Sequence, residues 1–160
     1  MLTREEKKAL TRRFWTQFDE FSNNIPELAE RKKKWILHDT KISHLDLKFD
    51  LSGNSAIVAL EINHRSEARR IQIYELIERY RTLLGNGLDV NLVWDFCYRN
   101  ENDQEVCRIY IEKHGFKMQN IQNWPSIFEF FARHMLILQD NFLEIQEYLQ
   151  EDITALLREL

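Results

Sequence analysis

The sequence predicts an α+β fold: a four-stranded, mostly antiparallel sheet built from two β-hairpins, in the order α-α-β-β-α-β-β-α, with helices layered on the sheet and a long C-terminal helix. Three patterns carry that expectation. A Gly53-Asn54 pair separates two alternating apolar runs, and a second pair of alternating runs covers Leu92–Tyr98 and Val106–Lys113. Apolar residues then recur at helical spacing, most regularly at Phe128, Phe131, Met135, Leu138, Phe142, Ile145 and Leu149.

The first helix begins at Thr3-Arg4-Glu5-Glu6, a capping box in which the Thr3 hydroxyl and the Glu6 carboxylate serve free amides. Leu10, Phe14, Phe18 and Phe21 form its apolar stripe, widened by Trp15, and the helix is expected to stop near Asn23-Asn24. Pro26 suits the first turn of a short second helix through Glu27–Glu30. The cations Arg31, Lys32, Lys33 and Lys34 close that helix; they satisfy its dipole and also make a candidate grip for a phosphate backbone.

In the first hairpin, glycine and asparagine accept the positive φ of a two-residue turn, so Ser52 pairs with Ser55. That register opposes Leu45 to Ile62, Leu47 to Leu60, Phe49 to Val58 and Leu51 to Ala56, which makes one face apolar. The other face opposes His44 to Asn63, Asp46 to Glu61, Lys48 to Ala59 and Asp50 to Ile57. A slip of one residue would mix the faces. Directly opposed carboxylates lie with Cβ atoms ~5 Å apart and repel, so Asp46 and Glu61 call for a cation between them.

Ser66 caps the next helix, whose stripe is Ile73, Leu76, Ile77, Tyr80, Leu83 and Leu84, with Gly85 as a left-handed terminator. Arg65, Arg69 and Arg70 cluster in its first turn, beside the end of the Glu61 strand, where they suit a carboxylate or an anionic ligand. In the second hairpin Phe96 is expected opposite Cys107, Trp94 opposite Ile109 and Leu92 opposite Ile111, with Asp95 and Arg108 as a cross-strand ion pair. Cys97 and Cys107 point to opposite faces and read as buried thiols without zinc-ligand spacing. Trp124-Pro125 opens the last helix; its seam stumbles at Glu151-Asp152 and resumes with Ile153, Leu156, Leu157 and Leu160. This tail either folds back on the first helix or pairs with a second copy of itself, and its many leucines favour a homodimer through the C-terminal helix.

At 160 residues the chain fits a single domain, 1–160, with 150–160 a separable helical tail. It is 44% hydrophobic and 30% charged with four glycines and two prolines, which excludes a disordered chain. A net charge of -4 gives no global pull to nucleic acid or anionic lipid, and no run has the ~20 apolar residues of a membrane span. A cytoplasmic protein with no membrane association is the expectation.

Several motifs spread along the chain belong together: Phe14-Trp15-x-x-Phe18, Lys41-Ile42-x-His44-Leu45, Leu60-Glu61-Ile62 before an Arg-rich helix, Leu92-x-Trp94, and Asn123-Trp124-Pro125-Ser126. In these the sequence resembles the bacterial family called domain of unknown function 4268. Members of that family occur fused to domains resembling restriction or repair nucleases, which implies a setting in DNA metabolism or defence. The resemblance carries over no catalytic residue.

Two functional readings follow. Restriction-type nucleases hold Mg²⁺ with an Asp on one strand and the Glu of a Glu-x-Lys on the next, the lysine supporting the attacking water. Here Asp46 and Glu61 supply the metal-binding carboxylates and Lys48 stands in for the lysine that Asn63 replaces. The favoured reading is a non-catalytic interaction or regulatory module that needs no cofactor and takes a protein or nucleic-acid partner, the latter through Arg31–Lys34 and Arg65, Arg69 and Arg70. No Gly-rich phosphate loop or Ser/His/Asp set is present, and His44, His64, His114 and His134 are scattered singly.

Overall fold

The computed structural model describes residues 1–28, 40 and 42–158. Helix α1 (Arg4–Asn23) starts as expected: Thr3 Oγ1 accepts a hydrogen bond from Glu6 N at 3.1 Å. Within its described part the expected second helix is a single 3-10 turn, Pro26–Leu28. The Arg31–Lys34 run lies outside the described residues.

Strands β1 (Leu45–Ser52), β2 (Ser55–Ile62), β3 (Val93–Arg99) and β4 (Glu105–His114) form one antiparallel sheet in the order β1-β2-β4-β3. The first hairpin has the register read from the sequence, from Leu45 opposite Ile62 to Ser52 opposite Ser55, and Gly53 takes φ +57° at the turn. The fold is therefore α+β, with a long C-terminal helix, α4 (Trp124–Arg158), that runs unbroken through Glu151-Asp152.

Helix α4 packs on β2 and on the other helices. Its seam from Phe128 to Leu149, continued by Ile153, is buried against the inner sheet face, where Leu45, Leu47, Val58, Leu60, Ile109 and Ile111 point. Phe14 and Phe18 of α1, both fully buried, complete this core. From Phe128 to Ile153 the seam is thus covered within one chain; Leu160, where the pattern resumes after Glu151-Asp152, lies outside the described residues. No helix among the described residues is long and apolar enough to cross a membrane.

Three expectations need correction. The helix after Ser66 is not continuous to Gly85: α2 (Glu67–Glu78) is followed by a turn and a short α3 (Arg81–Leu84), and Leu83 is exposed. Gly85 is not left-handed, with φ -91°. Gly85 N bonds back to Arg81 O, and buried Asn141 of α4 donates to Leu84 O at 2.9 Å and Asn86 O at 2.7 Å, so the helix end is satisfied without a left-handed residue at Gly85. The positive φ falls instead on Gly87, at +83°.

The second correction concerns β3. Trp94 opposes Ile109 and Asp95 opposes Arg108 as expected, but the register then shifts at a bulge, so that Tyr98 pairs with Val106. Asp95 Oδ1 accepts from Cys97 N at 2.9 Å, and this side-chain bond competes with the ladder for the amide. Phe96 and Cys97 are consequently exposed, against expectation, while Cys107 is buried and donates to Phe96 O. The third correction is that the Asp95–Arg108 ion pair does not form: Asp95 accepts from Cys97 N, and Arg108 is taken by Asp50, Glu61 and Glu101.

Candidate functional site

Strand alternation directs Asp46, Lys48 and Asp50 of β1, Glu61 of β2 and Arg108 of β4 to the outer sheet face, away from the helices. Because β4 lies beside β2, Arg108 stands directly opposite Glu61. The bulge in β3 brings Tyr98 to this face too, with its ring centroid 4.2 Å from the Arg108 guanidinium. Glu101 arrives from the β3–β4 turn, which Asn100 shapes by accepting from Asn102 N and Gln104 N at 2.9 and 3.0 Å.

Arg108 is fully buried and Glu61 is 2% exposed. The guanidinium donates to Glu61 Oε1 at 2.7 Å, to Asp50 Oδ2 at 3.0 Å and to Glu101 Oε2 at 3.4 Å. Lys48 Nζ bridges the remaining Glu61 oxygen, Oε2, at 3.2 Å and Glu101 Oε1 at 2.9 Å. Burial opposes the charge on Arg108, but the Glu61 and Asp50 carboxylates outweigh it and raise its pKa. Lys48 behaves in the same way: burial works against it, and Glu101 and Glu61 prevail to raise its pKa. Burial pushes Glu101 up, yet the Lys48 ammonium holds its carboxyl below the usual range.

Asp46 and Glu61 are cross-strand neighbours, as the register required. Their repulsion is relieved separately: Asp46 Oδ2 accepts from Asn63 Nδ2 at 2.8 Å, and Glu61 turns to Arg108 and Lys48. Lys48 does reach Glu61, as sequence reasoning placed it. Among the described residues no group of three or more His, Cys, Asp or Glu side chains is placed to hold a metal ion. The register had placed Asp50 on this face without a partner; Arg108 and Glu101 were missed because the register signal belongs to a single hairpin, whereas their contacts depend on which strand lies beside β2.

The chain matches the family described as Domain of unknown function (DUF4268) over residues 10–146, from within α1 to within α4. It belongs to that family. No curated protein and no solved structure matches it. All five charged members of the cluster lie inside the matched span of this DUF4268 domain.

The first-turn arginines of the DUF4268 domain do not converge on one point. Arg70 is buried and donates from Nη1 to His64 O and Arg65 O at 3.0 and 3.1 Å, closing the β2–α2 junction. Arg69 donates from Nη1 to Leu156 O at 3.1 Å and so ties α2 to the end of α4. Only Arg65 of the three is exposed.

At the same junction His64 Nδ1 accepts from Ser66 N at 3.0 Å, and its ring lies 4.5 Å from that of His44. Desolvation lowers the His64 pKa below its ordinary value near 6.5, with His44, Arg69 and Arg70 adding to the effect. A histidine with a depressed folded-state pKa binds its proton more readily when unfolded, so its contribution is intact above about pH 6.5 and is lost as pH falls. Urea midpoints at pH 7 and pH 5 should show this loss, and His64→Asn, which retains an acceptor for Ser66 N, should reduce it. Equal losses in both proteins would refute the assignment.

Proposed function

We propose that this DUF4268 domain is a non-catalytic interaction or regulatory module, working in DNA metabolism or defence. The observation that supports the non-catalytic reading is the state of Glu61. Both of its oxygens are taken by cations of the same chain, and the stronger partner, Arg108, is fully buried. A buried carboxylate whose two oxygens each accept from an internal cation is part of the fold's electrostatics, and a ligand would have to compete with those cations for it. The setting in DNA metabolism or defence rests on the family's association with nuclease-like domains.

The rival is a divergent Mg²⁺-dependent nuclease using Asp46, Glu61 and Lys48. The 3.2 Å contact between Lys48 and Glu61 keeps it worth testing. Under that reading the metal has to displace Arg108 and Lys48 from Glu61, and Asn63 from Asp46. Titrating Mg²⁺ to millimolar concentration into isotopically labelled protein is expected to leave the amide resonances around Asp46 and Glu61 unmoved. Site-specific shifts there, abolished by Asp46→Asn, would overturn the module reading in favour of the nuclease.

A further inference from the structure

The start of α1 is not explained by the cluster or by the core. From Arg4 to Arg13 every residue except Leu10 is exposed, so these turns present most of their circumference to solvent. They are held at their inner end, where Leu10 packs on the core and Thr11 Oγ1 donates to Met118 Sδ at 3.3 Å. Five cations lie in this stretch, Arg4, Lys7, Lys8, Arg12 and Arg13, against two carboxylates, Glu5 and Glu6, in a chain whose net charge is -4. Arg4, Lys7 and Lys8 precede the segment that matches the family.

The placement of these charges is unfavourable for the helix alone. Arg4, Lys8 and Arg12 are spaced four residues apart, the spacing at which like charges destabilise a helix. Among the described residues none of the five cations forms an ion pair, and only Arg13 has an intramolecular partner, the Trp124 ring at 5.6 Å. Glu5 and Glu6 sit in the first turn, where they favour the helix dipole. The repulsion is therefore uncompensated among the described residues, and an external polyanion would relieve it.

We infer that these turns of α1 are a docking arm for the phosphate backbone of duplex DNA, inserted in the major groove. At 3.6 residues per turn, Lys7, Arg4, Lys8, Arg12 and Arg13 fan out over about 240° of the helix circumference. The remaining side carries Leu10 and Phe14, which face the core. A flat acidic protein surface meets one flank of such a helix. A groove with phosphates on both walls meets both flanks, and the B-form major groove, ~12 Å wide, accepts a helix ~10–12 Å across. The deep, narrow major groove of A-form RNA does not. A lipid surface is the poorer fit, because the only apolar residues between Arg4 and Arg13 are Ala9 and Leu10, and Leu10 is already packed on the core.

This inference rests on the interaction-module reading, and the two fail separately: a metal response at Glu61 overturns the module, whereas the arm is judged by DNA binding alone. Fluorescence anisotropy with a labelled duplex DNA, a duplex RNA of the same length and vesicles containing phosphatidylserine tests it at low salt. Duplex DNA is expected to bind most tightly. The triple variant Arg4→Gln/Lys8→Gln/Arg12→Gln should weaken binding at least tenfold and reduce the slope of log affinity against log salt by about 2–3, one phosphate contact per side chain. Helix content by circular dichroism should not fall, since the substitutions remove repulsion; if it does, Lys7→Gln/Arg12→Gln provides the same comparison. No DNA binding by the wild type, an unchanged affinity in the variants, or a preference for duplex RNA or vesicles would overturn the proposal. So would an equal loss from Arg99→Gln/Arg158→Gln, cations at the ends of β3 and α4.

Discussion

Arg108→Ala is expected to destabilise the domain by about 3–5 kcal/mol, the range found when one partner of a buried ion pair is removed. Arg108 is fully buried, and its removal leaves Glu61, 2% exposed, with a carboxylate that retains only Lys48 as a charged partner. Asp50 also loses its guanidinium contact but is 12% exposed and can turn towards water. The cost is therefore mostly that of a buried, undercompensated charge at Glu61. This has a checkable corollary. The double variant Glu61→Leu/Arg108→Met removes both charges and should recover much of the loss, because apolar replacement of a whole buried pair is often close to neutral. Urea unfolding of the wild type, both single variants and the double variant measures the coupling. A single-variant loss below about 1 kcal/mol would refute this account of Arg108.

Phe18→Ala should have a comparable effect, about 3–5 kcal/mol, for a different reason. Phe18 is fully buried and joins three elements through ring contacts: Phe49 of β1 at 4.8 Å, Phe131 of α4 at 5.4 Å and Phe128 of α4 at 5.5 Å. Truncation loses the transfer free energy of the ring and opens a cavity, and the surrounding aromatic rings are too rigid to fill it. The contacts with Phe49 and Phe131 are edge-to-face, so geometry is lost along with area. Phe18→Leu, which restores most of the volume, should cost clearly less. Unfolding midpoints, read together with the near-ultraviolet dichroism of the aromatic cluster, separate the variants. A Phe18→Ala protein as stable as Phe18→Leu would show that α1 can shift to close the gap.

Local patterns were legible in the sequence wherever the determining interactions are local. The β1–β2 register follows from period-two alternation and a glycine–asparagine turn, and every expected pair from Leu45–Ile62 to Ser52–Ser55 is present. The caps at Thr3 and Ser66 and the start of α4 at Trp124 depend on residues a few positions apart. The bulge in β3 also has a local cause, the Asp95 side chain bonded two residues ahead, but that bond competes with a ladder whose strength alternation does not report.

The candidate site divides along the same line. By itself the sequence determined that Asp46 and Glu61 oppose one another, that Lys48 shares their face, and that two like charges there need a cation. Which cation answers that need was decided only by tertiary structure, because the pairing of β2 with β4 joins segments some fifty residues apart and leaves no periodic signature. Arg108 belongs to Asp95 if the second hairpin is considered alone; the sheet order gives it to Glu61, and the bulge releases Asp95 to its own backbone. The seam of α4 follows the same rule. Its period requires that Phe128 to Leu149 be buried, but whether another chain or its own sheet covers them depends on packing, and here the sheet and α1 do so. An apolar stripe or an unpaired charge specifies a demand for a partner; the three-dimensional arrangement of the chain selects which partner meets it.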